Sequence, residues 1–169
     1  MAGRKHPATA LLLAMAVVFP ALSGCVSGFQ PVYARPGVAR GMARIDVETP
    51  QTRTGYLLRE QLEDAFAFDR ASPAAFRLKV TLDERRRARG LDENRVATRY
   101  EVTLIATYML TEVGSNRMVL RGNRPIHITY DTTDQPYAGI VAQQDGQLRA
   151  ASQAADQIKT DILAWYAEQ

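Results

Sequence analysis

Between residues 96 and 111 the chain alternates apolar and polar side chains more regularly than anywhere else. Val96, Tyr100, Val102, Leu104, Ala106, Tyr108 and Leu110 share one parity, while Arg99, Glu101, Thr103, Thr107 and Thr111 take the other. A period of two is the mark of a strand with one face in a core and one in water. At about 3.3 Å per residue the run would be roughly 50 Å long, so a bend or a bulge is expected along it. Two other segments have the same character. Phe76, Leu78, Val80 and Leu82 oppose Arg77, Lys79, Thr81 and Asp83. After a turn at Gly114, Ser115 and Asn116, residues 118–130 return as a strand ending in Ile126, Ile128 and Tyr130. Gly122 and Pro125 interrupt that strand, which suits an edge or a bulge. A fourth, weaker strand is expected over 42–49, with Ile45 and Val47 on one face before Pro50. Residues 84–93 read as a charged link in which Gly90 supplies turn freedom.

Two segments switch to helical spacing. In residues 52–68, Leu58, Leu62, Ala65 and Phe66 recur three and four apart, Arg59 can reach Glu63, and Thr52 or Thr54 can cap the start. A longer helix is expected from near Pro136 to Tyr166, with Asp134 as its cap and Gly146 as its weakest point. Its apolar stripe is heptad-like: Tyr137, Val141, Leu148, Ala151, Ala155, Ile158, Ile162 and Trp165, with Gln144 the one polar member. We read that stripe as a core face against the sheet in preference to a groove for a partner helix. The order β-α-β-β-β-α then predicts an α+β fold, two helices packed on one face of a four-stranded, mainly antiparallel sheet. A hydrophobic fraction of 46% with 23% charged residues fits one folded domain over 42–169.

The N-terminus has another chemistry. Arg4 and Lys5 precede an apolar run from Ala8 to Leu22, and Leu22, Ser23 and Gly24 lead into Cys25, the single cysteine. A basic start, a short apolar stretch and small residues before a cleavage point make a signal peptide, expected over 1–24. The motif resembles a bacterial lipobox, which implies a covalent lipid on Cys25. Residues 25–41, with Gly28, Pro31, Pro36, Gly37 and Gly41, read as a lipidated tether. Val26 follows the cysteine with no Asp to retain the protein at the inner membrane, so an outer-membrane location facing the periplasm is expected. Arg4 and Lys5 account for two of the three net positive charges, so the mature chain carries only +1 and general nucleic-acid binding loses support.

Catalysis finds little footing. Once the leader and His6 are gone, His127 is the last histidine, and one histidine without cysteine cannot make the usual zinc set of three or four ligands. No Gly-x-Ser-x-Gly turn presents a nucleophile, and no glycine-rich phosphate loop occurs. The carboxylate pairs Glu63-Asp64, Asp83-Glu84 and Asp92-Glu93 read as solvated. No catalytic residue, metal ligand or cofactor beyond the Cys25 lipid is expected. The unusual charge feature is Arg85, Arg86 and Arg87 with Arg89 beyond. Guanidinium forks suit phosphate, and the alternative is a solvated link that protects a sheet edge.

Three stretches together resemble the LptE family of lipopolysaccharide-assembly lipoproteins. They are Cys25 with Gly28, Phe29, Pro31 and Tyr33; the strand from Arg99 through Leu104; and Tyr130, then Gln135-Pro136-Tyr137-Ala138 opening an alanine-rich helix. Val26 and Ser27 intervene after Cys25, and Ala34 stands where many members have glycine. The resemblance implies a non-enzymatic protein with two helices on a four-stranded sheet. It further implies a plug inside an LptD-like β-barrel, a role in assembling that barrel, and lipopolysaccharide binding on the way to the outer leaflet. On that reading Arg85, Arg86, Arg87 and Arg89 are candidates for lipid A phosphates. The alternative is an auxiliary lipoprotein of another envelope lipid or solute transport system.

Overall fold

The computed structural model describes residues 37–91, 97–133 and 135–169, and in it the alternating segments join into one sheet. Strands β1 (Ile45–Glu48), β2 (Phe76–Leu91), β3 (Ala97–Glu112) and β4 (Arg117–Asp131) lie side by side in that order. β1 pairs parallel with β2, and the other two pairings are antiparallel. A parallel pair needs a crossover, which helix α2 (Arg53–Phe66) provides after the one-turn helix α1 (Val38–Met42). Helix α3 (Pro136–Ala167) closes the chain. Leu58, Leu62 and Phe66 of α2 and Ala151, Ala154, Ile158 and Ile162 of α3 share one core cluster with Leu78, Val80, Leu104, Tyr108 and Leu110. Both helices therefore cover the same face of a four-stranded mixed sheet, the α+β arrangement read from the sequence. The irregularity expected along the long strand is present as register shifts, one between Leu110 and Thr111, where Val119 of β4 is left without a partner, and two near Gly90 of β2.

Local signals hold at α2. Thr52 is the N-cap, its Oγ1 accepting from the Gly55 N–H at 3.1 Å, and Arg59 donates to Glu63 at 2.6 Å. Thr52→Ala is expected to cost about 1 kcal/mol, seen as a melting temperature lower by about 3–5 °C in a circular-dichroism scan.

Four expectations need correction. Met42 closes α1 where it was expected to open a strand, because Val38 and Met42, one turn apart, are both buried in the core. The segment read as a tether thus hands over to folded structure before residue 41. The charged link at 84–93 is a strand as far as Leu91, because β3 is long enough to pair with it. The capping role of Asp134 lies outside the described residues; Gln135 occupies the N-cap of α3 with no side-chain cap. Finally, the α3 stripe is core only in its C-terminal part. Tyr137, Val141 and Leu148 are exposed. The reason is length: α2 has 14 residues and α3 has 32, or about 21 Å against about 48 Å. Thr54, at the start of α2, and Gln147 both bond to Glu84, so α2 begins level with Gln147 and leaves the earlier turns of α3 uncovered.

Candidate functional site: the open face of the sheet

With both helices on one side, the odd-numbered residues of β2, β3 and β4 present a polar face that no described element covers. Charge on it is mostly paired. Arg77 meets Glu48 at 2.9 Å, Arg85 meets Asp83 at 2.8 Å, Arg99 meets Asp131 at 2.7 Å, and Arg89 meets Glu101. The hydrogen bond from Arg89 holds the Glu101 carboxyl below its ordinary value, and Arg99 does the same to Asp131. Such exposed pairs contribute little stability, but they set which cations stay available to a ligand. Among the described residues of this face, Lys79, Arg87 and Arg121 have no carboxylate partner.

The four arginines do not converge. Their expected loop is a strand, so alternation divides them: Arg85, Arg87 and Arg89 point to the open face and Arg86 to the helix side. There Arg86 Nη1 donates to Gln143 Oε1 at 2.7 Å, and its guanidinium lies 4.8 Å from the centre of the Tyr100 ring. Tyr100 in turn stacks on Tyr130. Arg86 thus fastens α3 to the sheet. His127 is an exposed strand residue, with Nδ1 3.3 Å from Thr103 Oγ1 and 3.6 Å from Glu101. Cys25 lies outside the described residues. No group of three or more His, Cys, Asp or Glu side chains able to hold a metal occurs among the described residues.

Sequence reasoning missed a row that the register creates. Lys79, Met109 and Arg121 are directly opposite one another on β2, β3 and β4. With Thr81, Thr107 and Met118 they line a shallow cradle of about 340 Å³. The signal was available: Ile105 and Met109 are the large apolar residues on the otherwise mostly polar parity of β3.

Opposite them, on the core side, Tyr108, Asp161 and Arg124 bind β3, α3 and β4 together. Tyr108 Oη donates to Asp161 Oδ2 at 2.5 Å, and Arg124 Nε donates to the same oxygen at 2.8 Å. Burial pushes the Tyr108 hydroxyl well up. Burial also works against the Asp161 carboxylate, yet the bonds from Arg124 and Tyr108 outweigh it and hold the carboxyl below its usual value. The Tyr108 ring lies on Gly122, where any Cβ would sit 2.2 Å from the hydroxyl. This trio is a structural clamp.

Residues 42–162 match the model of the LptE lipopolysaccharide-assembly family, from the end of α1 through all four strands and most of α3. The chain belongs to the LptE family. A crystal structure from Caulobacter crescentus, described as that of a lipoprotein, is 43% identical, with a TM-score of 0.68 over 78% of this chain and 96% of the other. The rare lipoprotein B of Shewanella oneidensis shares the fold at 15% identity, with a TM-score of 0.51 over 73% and 95% of the two chains. No similar sequence is found among curated proteins. The family and fold class expected from the sequence are those observed. No helix of the described residues is long and apolar enough to cross a membrane.

Proposed function

We propose that this LptE-family chain is a non-catalytic outer-membrane lipoprotein, held on the periplasmic side by lipid on Cys25, that plugs and helps assemble an LptD-like β-barrel. It binds lipopolysaccharide as that lipid passes to the outer leaflet. The observation that carries this reading is the family match over nearly the whole folded part. The part of the open sheet face beyond the Lys79–Met109–Arg121 row supports it: a polar surface crossed by neutralised ion pairs suits the wet interior of a barrel. Phosphate recognition falls to Arg85, Arg87 and Arg89, which share that face, with Arg87 free of any described carboxylate. Arg86, given to the Tyr100 and Gln143 contacts, would reach a phosphate only by leaving them.

The test is affinity capture of the tagged, lipidated protein from detergent-solubilised outer membrane, with retained proteins identified by mass spectrometry. A stoichiometric β-barrel is expected. Retention of an inner-membrane transporter in its place would overturn the plug and favour an auxiliary transport lipoprotein. Lipopolysaccharide retained by the captured complex is expected to fall about tenfold when Arg85, Arg87 and Arg89 are all changed to Ala. Arg86→Ala is expected to spare retention and lower the melting temperature.

A further inference from the structure

The end of the fold from which the N-terminal segment departs has a distinct surface chemistry. Gly37 opens α1 there, and Gly41 lies against the Tyr166 ring. The Ala75 N–H donates to Arg44 O at 2.9 Å and the Val113 N–H to Ala75 O at 2.9 Å, so the β3–β4 turn belongs to the same end. Residues 26–36 join this end to Cys25, and a segment of that length spans at most about 40 Å. Met109, Val113 and Met118, all large apolar side chains left exposed, cluster here. Lys79 and Arg121 flank Met109 in one cross-strand row, and neither has a carboxylate partner among the described residues. At the far end of the same face Arg85, Arg89 and Arg99 are each neutralised by an acid, and Arg87, unpaired among the described residues, has no large exposed apolar side chain beside it on that face. Free positive charge and exposed apolar side chains therefore coincide beside the chain's departure point.

That coincidence is what an anionic bilayer surface selects. Apolar side chains enter the boundary between headgroups and acyl chains, and unpaired cations on long stems meet lipid phosphates without breaking an existing ion pair. A protein partner fits less well, because the cradle is shallow and open and offers no deep pocket for an anchoring side chain. We propose that Met109, Val113 and Met118, flanked by Lys79 and Arg121, form a docking surface for an anionic phospholipid leaflet. It sets the orientation of the domain on the membrane. This rests on the reading of Cys25 as the lipid-bearing residue, which brings this end to the membrane.

The experiment uses the full lipidated protein in phosphatidylcholine vesicles with and without phosphatidylglycerol. Cys25 is the single cysteine, so Met118→Cys, and as a control Thr129→Cys at the far end of the face, each accept one environment-sensitive fluorophore. Flotation with the neutral vesicles reports the Cys25 anchor alone. The expected result is a blue-shifted label at 118 on phosphatidylglycerol vesicles only, with the label at 129 unchanged. Lys79→Ala and Arg121→Ala should each lower the ratio of docked to undocked label about fivefold, and raised salt should do likewise. A label at 118 that stays aqueous on anionic vesicles overturns the proposal, whether or not the protein floats. So does an equal shift at 129, or a shift at 118 seen only when the β-barrel partner is added. If flotation fails yet excess anionic vesicles shift the label at 118, the docking surface stands and the Cys25 reading falls.

Discussion

Gly122→Ala is expected to destabilise the protein by about 3 kcal/mol, although alanine normally stabilises a strand relative to glycine. The added Cβ would stand 2.2 Å from the Tyr108 hydroxyl and 2.4 Å from the ring carbon that bears it. Neither neighbour is the loose end of a flexible chain. Tyr108 is 2% exposed, and its hydroxyl is fixed to Asp161. The ring must move, and with it goes the bond that joins β3 to α3. Overpacking of this kind costs about 1–3 kcal/mol, and a buried polar group left without its partner adds a similar amount. Gly114→Ala is the control, since nothing lies within 4 Å of a Cβ there, and it should change stability by less than about 0.5 kcal/mol. Urea denaturation of the two variants decides the matter. In a Tyr108→Leu background, Gly122→Ala should cost about 1–2 kcal/mol less than alone, because the ring it collides with is gone. Equal effects of Gly122→Ala and Gly114→Ala would mean that the Tyr108 ring is not held where the structure puts it.

Gly122 also shows where reading the sequence reached its limit. The glycine and Pro125 were legible as marks of an edge strand, and β4 is indeed one of the two edges. What β4 gives up a side chain for was not legible, because the answer is the residue opposite it in a register 14 positions distant. The same division holds elsewhere. The even parity of β3, the Thr52 cap and the Arg59–Glu63 pair are local patterns, and each is realised. The strand from Glu84 to Leu91 is not a local pattern. Arginines occupy both of its parities, so no hydrophobic period remains, and only its pairing with β3 makes it extended. That error hid the division of the arginine cluster, since side chains in a loop can converge but those on a strand must alternate. The α3 stripe failed for a different reason: heptad spacing tells which residues share a face, not how far the helix packed against them extends.

Asp161→Ala is expected to lower stability by about 2–3 kcal/mol, or a melting temperature lower by about 6–12 °C. The change removes the acceptor shared by two donors from different strands. Arg124 is partly exposed and can turn to water, but the Tyr108 hydroxyl is enclosed between β3, β4 and α3 and cannot. Most of the loss therefore falls on the tyrosine. A double-mutant cycle with Tyr108→Phe should recover about 1–2 kcal/mol, since removing both partners leaves nothing unpaired. Asp161→Asn separates charge from hydrogen bonding: its carbonyl still accepts from Tyr108, while the ionic share of the Arg124 contact disappears. The pH dependence follows from the sign of the shift. Asp161 has a carboxyl held below its usual value when folded, so its stabilisation is full above the ordinary carboxylate range, about pH 4. It is lost as pH falls through the lower, folded value. Glu63, Glu101 and Asp131 are shifted in the same direction, so the wild-type protein should lose stability steadily below about pH 4. Asp161→Asn should show a shallower acid limb without abolishing it. An unchanged limb would mean that Asp161 is not ionised against Arg124, and the clamp would then rest on the tyrosine hydrogen bond alone.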